Sequence, residues 1–267
     1  MSPFKRALLC LAALPLVATQ ANAWPAETMT AIGRDARRLL PRSLSRLLAE
    51  RELGIQQETT RLPIEVLQAL AADRPTGELR PETLALVAAE IDRVVVLFRE
   101  RRVSEGLTRL GGLLRIPADL SDPLLAAGPE GWPPGLGREY YALFSANFAK
   151  MPVVLDEPAA LRLSRKELPA LWQSLVARSR EQAPKIRAEL FRDGRVVSAR
   201  TLDYRSPAWA VASLAYSRAV TVTAATWLAV WREGQGDTTR MRQPRQLAPR
   251  EPAPVVSDRR PPRPEAP

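Results

Sequence analysis

Closely spaced carboxylates are the first residues in this sequence that could do chemistry. Asp119 and Asp122 lie three residues apart, beside Pro117 and Pro123. Two such oxygens could contact Ca²⁺ or Mg²⁺, but an Asp before a proline-led turn more often caps the turn that follows. Glu90 and Asp92 are neighbours in a helical stretch and point to different faces, so they form no acid/base dyad. Ser164 or Ser179 would need a Lys base to act as a nucleophile. Lys166 is near Ser164, but Ser-x-Lys followed by Glu167 reads as a helix start. Arg115 and Asp119 are four residues apart, a spacing that puts both on one helix face, with Pro117 between them.

Composition removes several reaction types. The 267 residues contain no His and one Cys. Without imidazole there is no Ser-His-Asp triad, no His-ligated zinc and no general base near neutral pH unless a carboxylate is shifted. Gly111-Gly112 lies within a helical stretch and no phosphate loop follows it, so it reads as a place of close helix packing.

The N-terminus has the layout of a secretory signal peptide. Lys5 and Arg6 precede an apolar run from Ala7 to Ala18, and Ala21-Asn22-Ala23 follows as a small-x-small site. We expect residues 1–23 to be removed, giving an exported, periplasmic or extracellular protein that starts at Trp24. The single Cys10 lies in the apolar run, after Leu9 rather than the small residue of a lipoprotein signal. The mature chain then has no Cys and cannot form a disulfide.

Three of the ten excess positive charges lie in residues 237–267, which hold seven Arg and eight Pro and almost nothing apolar. Such a segment cannot bury enough surface to offset its ordering entropy, so the sequence predicts a disordered tail. Its Arg content could engage an anionic polymer or lipid headgroups; a solubilising role is the simpler reading. No basic stripe interleaved with aromatics occurs elsewhere, so no specific nucleic acid is expected as partner.

Between leader and tail, residues 24–236 read as one helical domain. Apolar residues recur at helical spacing over Thr28–Arg51 (interrupted at Pro41), Pro63–Ala72, Thr83–Val103, Glu105–Ile116, Arg138–Lys150, Arg165–Arg180, Pro184–Phe191 and Pro207–Arg232. Residues 117–137 read as a loop rich in Pro and Gly, and Asp193-Gly194 as a turn. Strand-like alternation is confined to Val153–Leu155 and Arg195–Ala199. An all-α, multi-helix bundle is the expected fold. The 24 residues from Ala208 to Trp231 carry one charge, Arg218, and could alternatively span a membrane as the anchor of a scaffold. Arg218 near the centre and five Ser and Thr weigh against that.

The last helix also carries a family resemblance. Thr223, Ala224, Trp227 and Trp231 match a Thr-Ala-x-x-Trp-x-x-x-Trp pattern, so the segment resembles the closing helix of the zinc-dependent phospholipase C and single-strand nuclease superfamily. The N-terminal Trp24 is similar to the family's zinc-binding N-terminal Trp. Thr28-Met29-Thr-Ala-Ile-Gly33 resembles its Thr-His-x-x-Ile-Ala. The run from Leu110 to Leu125 resembles its Leu-Gly-x-x-x-His-x-x-x-Asp-x-x-x-Pro-Leu-His, and Tyr141 to Ser145 resembles His-x-x-Phe-Glu. The resemblance spans Trp24 to about Gly234 and implies the family's helical fold, three zinc ions and phosphodiester hydrolysis.

Departures at the ligand positions change that expectation. Met29, Arg115, Leu125 and Tyr141 stand where the family has His, and Ser145 where it has Glu. Asp119 is retained, with the Trp24 amine. That set is too poor in N and S donors for zinc. The resemblance therefore implies a vestigial pocket of Trp24, Met29, Arg115, Asp119, Leu125, Tyr141 and Ser145, with no catalytic residue, metal or other cofactor. The expected function is a non-catalytic binding or structural protein. The alternative is a hydrolase of phosphoester or lipid substrates with a carboxylate-only metal site.

Overall fold

Proline starts most of the helices in this chain. The computed structural model describes residues 24–58, 62–128, 132–147, 151–155 and 158–238. Pro25, Pro41 and Pro63 take the N-cap positions of α1 (Ala26–Arg37), α2 (Arg42–Ala49) and α4 (Ile64–Asp73), with α3 (Glu52–Glu58) between the last two. Pro81 is the first residue of α5 (Pro81–Arg99), which precedes α6 (Val103–Gly112) and α7 (Arg115–Ser121). Pro123 likewise opens α8 (Pro123–Ala127), and α9 (Leu136–Asn147) follows. Pro169 lies in the first turn of α10 (Leu168–Leu190), and Pro207 opens α11 (Pro207–Glu233). At these positions the missing N–H is harmless, because first-turn amides have no helical partner, and the fixed φ suits the helix.

That placement corrects the expected loop over residues 117–137. Pro117 occupies the first turn of α7 and Pro123 the first position of α8, so neither breaks a helix. The two helices expected on either side of Pro184 are one, α10. Pro184 lies on its exposed side, where water can serve the carbonyl left without a partner. Helix α3 fell outside the expected pattern, and Val153–Leu155 forms no strand. The Asp193-Gly194 turn joins a two-residue antiparallel hairpin, Phe191–Arg192 with Arg195–Val196. Both turn residues have positive φ, 52° and 74°, as a tight hairpin turn requires.

The described structure is a bundle around α11. That helix packs against α1, α5, α6, α7, α9 and α10, and its residues from Ala219 through Trp231 are all buried. A helix apolar on every side belongs in such a centre. Two of its hydroxyls find partners on neighbouring segments: Ser217 Oγ accepts from the Val154 amide at 3.1 Å, and Thr226 Oγ1 accepts from Trp172 Nε1 at 3.4 Å. No helix among the described residues is long and apolar enough to cross a membrane, which corrects the membrane-spanning alternative for Ala208–Trp231. Close packing elsewhere depends on glycine. A Cβ on Gly111 of α6 would overlap Ile55 of α3, so a larger residue would force these helices apart.

The expected signal peptide, 1–23, and all but the first two residues of the expected tail, 237–267, lie outside the described residues. Asp237 belongs to the folded structure: its carbonyl accepts from Trp231 Nε1 at 2.9 Å and from Ser43 Oγ at 3.2 Å.

Candidate functional site

Helix α7 holds the central ion pair. All seven of its residues are buried, so a charge carried there must find partners inside the protein. Because Pro117 falls in the first turn, the helix is uninterrupted between Arg115 and Asp119. Arg115 Nε donates to Asp119 Oδ1 at 2.8 Å, with the two residues 7 % and 2 % exposed. Arg74, in the 3₁₀ turn after α4, places Nη1 3.1 Å from Asp119 Oδ2. Both carboxylate oxygens therefore face a guanidinium.

Trp24 locks the start of α1 onto α7. Its indole Nε1 donates to the Ala118 carbonyl at 2.8 Å, and its ring meets Phe144 edge-on at 4.6 Å between centroids. Tyr140 and Tyr141 of α9 complete the aromatic cluster, each 6.4 Å from Trp24. Trp24, Met29, Arg115 and Asp119 line one cavity of about 150 Å³, together with Trp227 of α11 and Arg37 of α1.

Asp122 forms a second buried polar centre. It caps α8, accepting from the Leu124 amide at 2.8 Å and the Leu125 amide at 3.4 Å, and it accepts from the Tyr141 hydroxyl at 2.8 Å. Burial pushes its carboxyl up to about 6, against the downward pull of those hydrogen bonds, and Asp119 adds a small upward push. The same burial, with the negative charge of Asp122, drives the Tyr141 phenol far above its usual value. Asp122 and Tyr141 do not line the cavity.

The structure thus places the seven expected pocket residues in three surroundings. Trp24, Met29, Arg115 and Asp119 share the cavity; Tyr141 and the backbone of Leu125 serve Asp122. Ser145 is exposed and lines a separate depression with Glu27 and Phe144. The reasoning from sequence missed Arg34, Arg37 and Arg74. Arg34 and Arg37 share one face of α1 at i, i+3, a spacing that was visible; Arg74 carries no local signal. Other candidates are structural. Glu90 is buried and pairs with Arg93 and Arg109 at 2.7 and 3.3 Å, while Asp92 pairs with Arg165. Ser164 forms a capping box with Glu167, and Ser179 donates to the Leu175 carbonyl.

No family model, no curated protein and no solved structure matches this chain. The zinc ions that the resemblance implies find no suitable donor set here. Asp119 is engaged on both oxygens, Arg115 is a cation, and Met29 and Leu125 bring no nitrogen or oxygen. Among the described residues no three His, Cys, Asp or Glu side chains gather.

Proposed function

We propose that this is an exported, non-catalytic binding protein, descended from the zinc-dependent phospholipase C and single-strand nuclease superfamily. One observation carries the reading: Asp119 is held between Arg115 and Arg74, so cationic side chains surround a carboxylate that the resemblance gives to a metal. An arginine cannot give up its proton to act as a base or ligand. The buried carboxylate with a raised pKa, Asp122, is enclosed by a backbone cap and Tyr141 rather than presented to the cavity. What remains is a pocket whose two lining carboxylates, Asp119 and Glu52, both face arginines, an arrangement that suits binding rather than turnover of a phosphodiester.

Elemental analysis of the dialysed protein, with a phosphodiester hydrolysis assay with and without chelator, tests this. We expect substoichiometric zinc and no turnover above buffer. One equivalent of zinc, or turnover that chelator abolishes, would establish the hydrolase alternative instead. N-terminal sequencing of the protein recovered outside the cytoplasm should begin at Trp24; a start at Met1 rejects export by this signal.

A further inference from the structure

We infer that the cavity binds a small amphiphilic oxyanion, one ring or short alkyl group bearing a carboxylate or phosphate. This rests on the non-catalytic reading and names the ligand class of that same site. The argument begins with Arg37. It lines the cavity, its side chain is 13 % exposed, and its Nη1 is buried with no hydrogen-bond partner among the described residues. Its other terminal nitrogen reaches Glu52 at only 3.5 Å, and that carboxylate is 41 % exposed. A buried guanidinium N–H without an acceptor is costly, and an incoming oxyanion would supply one.

Charge favours the same ligand. Arg115 and Arg74 share Asp119, Arg37 faces Glu52, and Arg34 forms no ion pair among the described residues. Of these, Arg34, Arg37 and Arg115 line the cavity against Glu52 and Asp119, which leaves one positive charge in excess on its wall, and Arg74 offsets Asp119 from outside the lining. The planar fork of Arg matches the paired oxygens of a carboxylate or phosphate.

The apolar part of the lining sets the rest of the molecule. Trp24, Met29, Ile55, Leu114 and Trp227 are apolar or aromatic and surround a space of about 150 Å³. A cavity of that order admits a benzene-sized group. A hydrated inorganic anion would leave these surfaces unused, and a neutral hydrocarbon would leave Arg37 unpaired. A ligand with both parts satisfies the arginines and the apolar lining together.

Isothermal titration calorimetry on the full chain, using benzoate, phenyl phosphate, benzyl alcohol and inorganic phosphate, tests the inference. We expect saturable 1:1 binding of benzoate or phenyl phosphate, with benzyl alcohol and inorganic phosphate at least tenfold weaker. The tighter of the first two identifies the headgroup. Arg37→Gln should weaken binding at least tenfold, and Arg37→Lys should recover part of it. If Arg37→Gln fails to fold by circular dichroism, Arg34→Gln is read in the same way. Absence of binding at millimolar ligand overturns the inference, as does equal affinity for benzyl alcohol or an unchanged affinity in the glutamine variant. Zinc content and turnover bear on the non-catalytic reading alone, so the two failures are distinct.

Discussion

Arg74 and Asp119 lie far apart in sequence, yet Arg74 Nη1 sits 3.1 Å from Asp119 Oδ2. Arg115 takes the other oxygen from one helical turn away, at 2.8 Å. The turn after α4 and the buried helix α7 are therefore joined through one carboxylate. Desolvating charges in this way is expensive, and mutual attraction offsets the expense only when every partner is present.

Asp119→Ala should destabilise the fold by about 3–5 kcal/mol, because it takes the shared carboxylate from two buried guanidinium groups, whereas Arg115→Ala should cost less, since Asp119 keeps Arg74. Arg74→Ala should likewise cost less, since Asp119 keeps Arg115. Denaturant unfolding of Arg115→Ala, Asp119→Ala and the double variant gives the coupling energy. A value below about 0.5 kcal/mol would mean that Arg115 does not compensate Asp119 structurally.

Asp122 makes stability depend on pH. Its folded-state pKa of about 6 lies above the ordinary 3.8, so between those values the folded state holds a proton that the unfolded chain has lost. Stability then falls as pH rises from about 4 to 6 and levels off above, by an amount on the order of 2–3 kcal/mol. Asp122→Asn should remove this component. Urea midpoints of the two proteins that change in parallel across this range would refute it.

The Asp237 carbonyl is tied to Trp231 and Ser43, while the composition of the residues that follow offers little to build a core. Truncation after Thr238 should leave the thermal midpoint unchanged. Truncation after Gly236 removes the carbonyl that accepts from Trp231 and Ser43 and should cost about 1–3 kcal/mol. Equal midpoints for the two truncations would show that this contact contributes nothing.

Local spacing along the chain is enough to specify the helical class, most helix positions and the pairing of Arg115 with Asp119. These depend on short-range rules: apolar residues at helical spacing, prolines at helix starts and side chains one turn apart. The meaning of residues 117–137 and of Pro184 was settled by packing, because the same proline opens one helix and is tolerated inside another according to which amides and carbonyls reach water. Packing also made α11 a buried axis: burial among protein side chains and burial in lipid select similar compositions, and only the neighbours distinguish them. Arg74 reached Asp119, and Tyr141 reached Asp122, by the same means. Contacts between distant segments have no spacing rule in the chain; they exist because the helices fold together and a buried charge needs a partner.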